Sequence, residues 1–450
     1  MKLLSPRTGE RRVVSTRDGK VDLHELLRAS SLGGSLRKLV GASVILMGGD
    51  QVKTAACLIE LDGVARRIVL CPPDLQPKHL KTIVRDAESD TLVYDGGKPI
   101  PANIGVAHLA SCVFPLTPQE PIVRPFATEW ILLTSGTVGD PKMVVHTLAS
   151  LTDAILNENS STVIRNWATF YDIRRYGGLQ IFLRAIADRG SLTLHEPDEI
   201  VDDFLARAAA EHFSHISGTP SHWRLALMNS TAARRIDPKY VRLSGEIADR
   251  SVLDALRATY LRAAVVHAYA STEAGLGFEV TDGEPGFPAE WLESGPDNVT
   301  IKVIDGSLRI RSNRTALRYL NDCAKPLLDS EGFIDTGDIV SVQGDRCYFV
   351  GRRDGIINVG GSKVNPEEVE TVINRHPAVR ASLVKGRRNP VTGAVVVADV
   401  ELEEGTVESI ELKREIIAAC AAEFPIYKVP VIVNVVASLD VTAGGKLNRR

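Results

Sequence analysis

The sequence predicts an α/β fold: a large N-terminal domain of parallel βα-layered sheets with a short antiparallel β subdomain, followed by a small mobile α+β C-terminal domain. Between residues 38 and 270, apolar strand-like runs alternate with helical stretches, which is typical of parallel sheets covered by helices. From about residue 299, short alternating strands separated by tight glycine turns indicate antiparallel structure. The 450 residues, 44% of them apolar, suffice for about three folding units with buried cores.

The N-terminal elements follow this alternation in order. Residues 38–48 are predicted to form a buried strand, and each later stretch is predicted to form a helix followed by a strand. These later stretches are residues 55–73, 79–96, 179–197, 204–220 and 252–271, the last of which is expected to end in a loop at its AYAS residues. Antiparallel strands are predicted within residues 299–312 and 339–351.

The charged, glycine-flanked turn GRRDG at residues 351–355 is the best candidate for a domain boundary. We therefore predict an N-terminal domain at residues 1–350, a hinge at 351–355 and a C-terminal domain at 356–450. The C-terminal domain is expected to contain two helices and several strands.

Composition and charge exclude several classes of protein. The net charge of −3, from 53 basic and 56 acidic residues, argues against nucleic acid or an anionic membrane as the main partner. No apolar run reaches the roughly 18 residues that span a bilayer, and the charged start lacks the apolar stretch of a signal peptide. The six cysteines are scattered without a CxxC pair, so we expect reduced thiols, no metal site built on them and a cytoplasmic location.

A loop rich in glycine and hydroxyl groups follows an apolar strand in ILLTSGTVGDPKMVVHT, residues 131–147. Hydroxyl groups and closely approaching backbone N–H groups bind phosphate oxygens, and a lysine adds positive charge. The loop is not a Walker A motif, because its lysine follows a proline and no Ser or Thr comes after it. An ordinary turn between strand and helix is the alternative. The candidate phosphate-binding residues are Thr134, Ser135, Gly136, Thr137, Gly139 and Lys142.

A second candidate phosphate-binding group is Lys446, in VTAGGKLNRR at residues 441–450. It follows Gly444 and Gly445, whose conformational freedom would let its ammonium group be delivered to a site and withdrawn. On position alone, a solvated charge is the favoured alternative. Taken with the phosphate-binding loop, Lys446 predicts that the C-terminal domain closes over the N-terminal one.

Five segments occur in the order found in the adenylate-forming superfamily, which comprises acyl- and aryl-CoA synthetases, peptide-synthetase adenylation domains and luciferases. AYASTEAG (268–275) resembles its YGxTE motif, and GFIDTGDIV (332–340) resembles its TGD motif. FVGRRDGIINVGGSKVNPEEVE (349–370) is similar to its hinge motif. ILLTSGTVGDPKMVVHT resembles its phosphate loop, and YKVP with VTAGGKLNRR resembles its closing stretch. The resemblance spans residues 131–450, and the first 130 residues match only in their βα texture.

This resemblance implies an enzyme, an AMP-forming acid–thiol ligase. A carboxylate would attack the α-phosphate of ATP to give an acyl-adenylate and pyrophosphate, and the acyl group would then pass to the thiol of coenzyme A. Fixed cations and N–H donors aimed at the developing charge supply most of such catalysis. The implied cofactors are ATP, Mg²⁺ and coenzyme A, or the phosphopantetheine of a carrier protein in place of coenzyme A. The other implied partner is a small carboxylic acid, and the protein is expected to be a monomer or a homodimer.

The resemblance also assigns roles to residues at the motif positions. The loop residues would hold the β- and γ-phosphates, Thr272 would contact the α-phosphate, Glu273 would bind Mg²⁺, and Lys446 would act in the first half-reaction only. The residues implied for adenine and ribose are Ser244, Gly245, Glu246, Tyr269, Asp338 and Arg352. Asp354 would be the hinge, and Gly360, Gly361 and Lys363 would line the thiol tunnel. Taken alone, Glu273 and Asp338 could instead be a helix-start carboxylate and a turn-capping residue.

The acid-binding region departs from the family pattern. In FYDIRRYGGLQ (170–180), Arg174 and Arg175 stand where many CoA synthetases have a histidine. The pair could be structural or solvated, contact a phosphate of coenzyme A or of a carrier protein, or recognise an acidic substrate. Asp172 resembles the aspartate that holds the substrate ammonium in amino-acid-activating domains, although its spacing to Gly190 is longer. The predicted acyl pocket consists of Tyr176, Gly177, Gly178, Thr219, His222, Ala268 and Ala270.

Other functions stay open at this point. A stand-alone adenylation protein would load its acyl group onto a carrier protein, whereas a non-catalytic relative would use the same nucleotide site as a scaffold or sensor. The simultaneous presence of Lys446, Glu273 and Asp338 favours the enzyme. The sequence does not identify the acid.

Overall fold

The computed structural model describes residues 12–95, 100, 104–134, 140–158, 164–321, 326–359, 362–390 and 392–440. The strands, numbered β1 to β27 in chain order, are Val13–Ser15, Lys20–Asp22, Ala29–Ser30, Ser43–Met47, Arg67–Leu70, Thr91–Tyr94, His108–Ser111, Thr117–Pro118, Glu129–Thr134, Lys142–Thr147, Trp167–Thr169, Leu192–Leu194, His215–Gly218, Tyr240–Ser244, Ala264–Ser271, Gly275–Val280, Phe287–Pro288, Thr300–Ile304, Ser307–Arg311, Arg318–Tyr319, Ile334–Gln343, Arg346–Arg352, Ile357–Val359, Ser362–Val364, Val379–Asn389, Gly393–Leu402 and Ile432–Val436.

The α-helices, α1 to α10, are Gln51–Leu61, Leu80–Asp86, Leu148–Glu158, Tyr176–Ala187, Val201–Ala210, Pro220–Asn229, Arg250–Thr259, Trp291–Ser294, Pro366–Ile373 and Ile410–Glu423. Short 3-10 helices form at Glu25–Leu27, Leu36–Leu39, Pro77–His79, Arg353–Gly355 and Ile426–Lys428.

A seven-stranded sheet has the order β20-β10-β9-β5-β4-β6-β7, with β9, β5, β4, β6 and β7 parallel and the two remaining strands antiparallel. The strand predicted at 38–48 is shorter than expected. Residues Leu36–Leu39 form a 3-10 helix, and Gly41, with a φ of +80°, turns the chain before the strand begins at Ser43. Gly41 supplies this turn because glycine adopts a positive φ without a steric penalty.

An eight-stranded sheet has the order β16-β15-β14-β13-β11-β12-β1-β2, and it is parallel except for the edge strands β16 and β2. Its strand β15 continues through AYAS to Ser271, where the sequence predicted a loop. Apolar side chains of α1, α3 and α4 form one buried cluster with both large sheets. These helices are therefore covered by sheet residues, which explains why α4 is buried along nearly its whole length.

The remaining sheets are smaller. A five-stranded antiparallel sheet, β17-β22-β21-β19-β18, follows the two large sheets. In the C-terminal part, α9 and α10 share a core with the sheet β25-β26-β27 and the hairpin β23-β24. The predicted fold class is confirmed, whereas the domain limits at 350 and 356 stay a prediction.

Two further observations concern the described residues only. Cys57, Cys71, Cys112, Cys347 and Cys420 are free and buried, and Cys323 lies outside the described residues. Within the described ranges, no helix is both long and apolar enough to cross a membrane.

Candidate active site

The predicted phosphate-binding loop connects the antiparallel strands β9 and β10, in which Thr134 lies opposite Lys142. Lys142 is exposed, and its Nζ lies 5.2 Å from the centroid of the Tyr319 ring. The hairpin therefore presents a cation at the base of its loop. Four of the predicted phosphate-binding residues lie outside the described residues: Ser135, Gly136, Thr137 and Gly139.

A buried histidine joins this hairpin to the AYASTEAG motif. His146 on β10 donates from Nε2 to the Thr272 carbonyl oxygen at 2.7 Å, and its Nδ1 lies 3.1 Å from Ser150 Oγ. Nε2 must carry the proton because a carbonyl oxygen can only accept. Burial lowers the pKa of His146 to about 4, so the ring is neutral at pH 7. His146 stands inside the quoted motif, but no role was predicted for it.

A second connection runs through the segment that contains β20. The Ala316 N–H donates to the Glu273 carbonyl oxygen at 2.9 Å, and the Tyr319 hydroxyl donates to Glu273 Oε1 at 3.3 Å. β20 also pairs with β10, so Glu273 is held beside the phosphate hairpin from two sides. Sequence reasoning missed Tyr319, because a tyrosine in a two-residue strand has no periodic pattern to mark it.

The glycine that closes the AYASTEAG motif is required by a close backbone contact. Gly275 has a φ of +74°, and a Cβ atom there would lie 2.2 Å from the Arg314 carbonyl oxygen. No larger residue fits without moving the backbone. Gly275 thus fixes the turn that carries Thr272 and Glu273.

The residues predicted for adenine and ribose meet on β15, β21 and β22. Asp338 accepts hydrogen bonds from the Tyr269 hydroxyl and, at 3.1 Å, from Arg352 Nη1. The Tyr269 ring is stacked with Phe349 at 5.0 Å between centroids, and a Cβ at Gly277 would lie 2.9 Å from Tyr269 Cδ1. Burial, and then the Asp338 carboxylate, raise the pKa of Tyr269 well above its usual value. The tyrosine is therefore a neutral hydrogen-bond donor.

The LSGE run lies beside Tyr269 because β14 and β15 are parallel neighbours with Ser244 opposite Ala268. The buried Ser244 accepts a hydrogen bond from the Tyr171 hydroxyl on its carbonyl oxygen at 2.7 Å. Gly245 has a φ of +88° and is exposed, whereas Glu246 accepts from the Ser221 N–H at 2.9 Å. The backbone of Gly245 is thus the accessible part of this run.

The predicted acyl-pocket residues fall into two groups. Tyr176, Gly177 and Gly178 begin α4, and a Cβ at Gly178 would lie 2.1 Å from the Asp172 carbonyl oxygen. The Tyr176 ring centroid lies 5.8 Å from that of His146, next to Thr272. Ala268 and Ala270 lie on β15, and both contact the same small apolar cluster. These residues border the site that Thr272 occupies.

Thr219 and His222 have a structural role at the start of α6. Their side chains and backbone N–H groups form a reciprocal capping box, and the His222 ring stacks on Phe170 at 5.1 Å. Burial lowers the pKa of His222 to about 3. The neutral ring therefore acts as a cap and a packing partner, and its place in the acyl pocket stays a prediction.

The two arginines at 174 and 175 are both paired. Arg174 is buried and donates from Nε and Nη2 to the two oxygens of Asp172, at 2.8 and 2.6 Å, and from Nη1 to the Gly48 carbonyl oxygen at 2.5 Å. Arg175 forms an ion pair with the half-exposed Asp74. The geometry supports the structural alternative for Arg174, and it leaves Asp172 occupied rather than available to a substrate ammonium group.

Several predicted site residues fall in parts of the chain that the structure describes only in part. Lys446, Gly360 and Gly361 lie outside the described residues, and Asp354 lies in the 3-10 helix Arg353–Gly355. Lys363 is exposed on the hairpin β23-β24, opposite Asn358.

Comparison with known proteins decides the family. Residues 40–314 match the model of AMP-binding enzymes, and residues 368–446 match that of the AMP-binding enzyme C-terminal domain. The chain belongs to the AMP-binding enzyme family. The predicted superfamily and enzyme class are thereby confirmed, and the match supports the predicted use of ATP.

Relatives of this AMP-binding enzyme include the 2-succinylbenzoate–CoA ligase of Listeria monocytogenes serotype 4b (strain F2365). It is 27% identical over 343 residues, which cover 71% of this chain and 68% of the relative. Among solved structures, an anthranilate CoA ligase in complex with anthranoyl-AMP has a TM-score of 0.84 at 19% identity, covering 98% of this chain and 93% of its own. The o-succinylbenzoate CoA synthetase of Bacillus subtilis, in complex with its acyl-adenylate intermediate, has a TM-score of 0.74 at 19% identity, with coverage of 97% and 94%.

The residues present in this AMP-binding enzyme suit a Mg²⁺ ion bound mainly by phosphate. Among the described residues, Glu273 forms no ion pair, and its carboxylate receives one hydrogen bond, from Tyr319. No group of three or more His, Cys, Asp or Glu residues in the described ranges could hold a metal ion. One or two carboxylates with phosphate and water oxygens satisfy Mg²⁺. Glu273 would therefore fit as a carboxylate ligand of Mg²⁺.

A buried charge network on β14 and β16 was missed by the sequence analysis. Glu279 accepts from Arg242 Nε at 2.6 Å, from Arg184 Nη2 at 3.2 Å and from the Tyr240 hydroxyl at 3.0 Å. Burial opposes ionisation of Glu279, but Arg242 and Arg184 outweigh it and lower its pKa to about 2. These residues are distant in sequence, and only the pairing of the strands brings them together.

A polar cavity of about 540 Å³ lies elsewhere, among residues of the C-terminal part and Met228. It contains none of the predicted site residues.

Proposed function

We propose that this enzyme activates a carboxylic acid with ATP, releases pyrophosphate, and transfers the acyl group to the thiol of coenzyme A. The observation that carries the proposal is the hydrogen bond from His146 to Thr272. Through it, the phosphate hairpin meets the motif assigned to the α-phosphate and Mg²⁺. A site that binds the phosphates of ATP at the hairpin and the carboxylate of the acid beside Thr272 suits adenylation.

In the first half-reaction, the carboxylate attacks the α-phosphate while pyrophosphate departs. Negative charge grows on the α-phosphoryl oxygens, and fixed donors aimed at them lower the barrier. Lys142 and the hydroxyl-rich loop hold the β- and γ-phosphates, Thr272 contacts the α-phosphate, and Lys446 bridges the reacting groups. Mg²⁺ held by Glu273 would neutralise the phosphate charge.

Asp338 and Tyr269 orient the nucleoside in this scheme. A carboxylate offers two acceptor oxygens to the two ribose hydroxyls. Asp338 is fixed by Tyr269 and Arg352, so it is positioned before the nucleotide arrives. Preorganised groups need no rearrangement in the transition state, which is where their catalytic value lies.

In the second half-reaction, the C-terminal domain turns about Asp354 and presents Gly360, Gly361 and Lys363 to the pantetheine arm. Such alternation of domains is a conformational gate of the usual kind. The cytoplasm is the proposed compartment.

Two variants separate the half-reactions. Lys446→Ala is expected to lower acid-dependent pyrophosphate exchange by roughly 10²–10³, the scale for losing one transition-state donor. It should still pass a pre-made acyl-adenylate to coenzyme A, whereas Gly361→Leu should spare exchange and block thiolation. Arg450→Ala, which removes a neighbouring positive charge, is the control. Equal loss of both steps in Lys446→Ala would refute its role.

The acceptor is tested by the same assay. Coenzyme A and a pantetheinylated carrier protein are offered separately to enzyme that holds its acyl-adenylate. Consumption of the adenylate with coenzyme A supports the proposal, and consumption only with the carrier protein would identify a stand-alone adenylation protein instead.

A further inference from the structure

The guanidinium group of Arg242 is buried, yet its hydrogen-bonding capacity is only partly used. Arg242 is 2% exposed, and its Nε donates to Glu279. In the described part of the chain, Nη1 and Nη2 have no hydrogen-bond acceptor, and neither atom is wholly sealed from solvent. Both groups are donors that can still receive an acceptor. Because they are reachable from solvent, the acceptor can come from outside the chain.

This guanidinium group lies on the face that the predicted acyl pocket uses. Ser244, Ala268 and Glu279 are cross-strand neighbours on β14, β15 and β16, and Arg242 precedes Ser244 by two residues, on the same face of the sheet. The small side chain of Ala268 leaves space for Arg242 and Glu279 to meet across β15. Ala268 is one of the residues predicted to line the pocket, so the ion pair lies within or directly below it.

Two further guanidinium groups lie near Arg242. Arg242 and Arg184 share the single carboxylate of Glu279. The nearby Arg314 has a carboxylate of its own, from Asp153 at 3.3 Å. Glu279 therefore keeps Arg184 and the Tyr240 hydroxyl as partners while Arg242 binds a further acceptor.

We propose that Arg242 binds a second carboxylate at the far end of the acid substrate. This inference rests on the proposed function, in which the reacting carboxylate lies beside Thr272. Ala268 and Ser271 are three residues apart on β15, roughly 10 Å at the rise of an extended strand, and Thr272 follows Ser271 directly. The span suits a diacid or a carboxy-substituted aryl acid of moderate length, with one carboxylate at each end.

The test compares matched pairs of acids by pyrophosphate release. Butanoate, hexanoate and octanoate are each offered against their α,ω-diacids, and phenylpropanoate is offered against its ortho-carboxy derivative. Because a hydrogen-bonded charge pair is involved, we expect kcat/KM of the wild type to favour the diacid of the best pair roughly 10–100-fold. Arg242→Met should remove this preference, and Arg242→Lys should keep part of it.

A matched control shows that the effect is local. Arg207→Met removes a guanidinium group that pairs with Glu199 at 2.8 Å on α5, and it should leave the ratio of diacid to monoacid unchanged. Thermal unfolding of each variant identifies any that fail to fold. If Arg242→Met does not fold, the wild-type ratio and the Arg242→Lys variant decide the question.

The outcomes separate this inference from the proposed function. If the wild type uses monoacids better throughout, or if Arg242→Met slows both members of a pair by the same factor, the assignment of Arg242 is wrong while adenylation stands. If no acid yields pyrophosphate with the wild type, the proposed function itself fails. A diacid preference that disappears only in Arg242→Met establishes the second carboxylate site.

Discussion

Two arginines are buried to almost the same degree but differ in how completely their guanidinium groups are used. Arg174 is 3% exposed and donates from all three of its nitrogens, to Asp172 and to the Gly48 carbonyl oxygen. Arg242 is 2% exposed and donates from Nε alone. Burial therefore does not distinguish a structural arginine from one that can bind a ligand. The two kinds of arginine are distinguished by the number of unused N–H groups, because only an unused donor can bind an acceptor from a ligand.

The difference between the two arginines also changes which residue is the better candidate for binding an acidic substrate. From sequence, recognition of an acidic substrate was one interpretation of Arg174 and Arg175, which stand in a conspicuous RR pair. In the structure all three nitrogens of the Arg174 guanidinium group donate to Asp172 or Gly48, and Arg175 pairs with Asp74. Arg242 is a single arginine in an apolar strand. It fits the hypothesis better, because within the described part of the chain N–H groups of its guanidinium group are free to bind a carboxylate.

Removing Arg174, the more fully paired of the two arginines, should have the largest effect on stability. Arg174→Met leaves the buried Asp172 carboxylate without a cation, and breaking such a pair typically costs about 3–5 kcal/mol. Arg242→Met should cost much less, since Glu279 keeps Arg184 and Tyr240. Urea unfolding of the two variants measures the difference. Equal losses of unfolding free energy in the two variants would contradict the expected difference in stability.

The surroundings of Arg174 can be probed by pH. Burial raises the pKa of Glu196 to about 7, although Arg174 and Gln51 lower it in part and Asp172 and Asp50 raise it further. A folded-state pKa above the unfolded value means that the stability gained at low pH is lost as the pH rises from about 4.5 to about 7. Glu196→Gln should therefore be more stable than the wild type at pH 8, by up to about 3 kcal/mol, and similar to it near pH 4.5.

The control for this titration is His146, whose pKa shift has the opposite consequence. Its folded-state pKa of about 4 lies below the unfolded value, so its contribution is lost as the pH falls from about 6.5 to about 4. Urea midpoints of the wild type and Glu196→Gln across this range separate the two groups. If the variant and the wild type had parallel curves between pH 4.5 and pH 8, Glu196 would not be the titrating group.

Much of the fold could be predicted because its signals are local. Parallel strands such as β4 and β5 are short apolar runs, and glycine turns mark the antiparallel sheet. The start of β4 at Ser43 was missed because Gly41 acts through its backbone conformation, which hydropathy does not encode. AYAS was expected to be a loop but is part of β15. Its pairing with β14 and β16, rather than its local propensity, makes it a strand, and this pairing is not visible in the sequence.

The candidate site was predictable only where motifs mark it. Tyr269, Asp338 and Arg352 come from three separate segments, and the structure brings them into direct contact. The network of Arg242 and Glu279 has no motif, because it depends on the register of three strands and on the small size of Ala268. Strand register and side-chain volume are properties of the assembled sheet, which a single sequence does not state.

The smallest expected effect concerns Glu273. Like the guanidinium group of Arg242, its carboxylate has hydrogen-bonding capacity that the described residues leave unused. Its carboxylate receives one long hydrogen bond from Tyr319, whose ring also lies under Lys142. Tyr319→Phe keeps the ring and removes only the hydroxyl, so we expect a few-fold rise in the Mg²⁺ concentration needed for half-maximal pyrophosphate exchange, because a single long hydrogen bond contributes about 1 kcal/mol. Tyr348→Phe, on another strand, is the matched control. A lower maximal rate with an unchanged Mg²⁺ requirement would place Tyr319 in the support of the hairpin rather than of the metal-binding carboxylate.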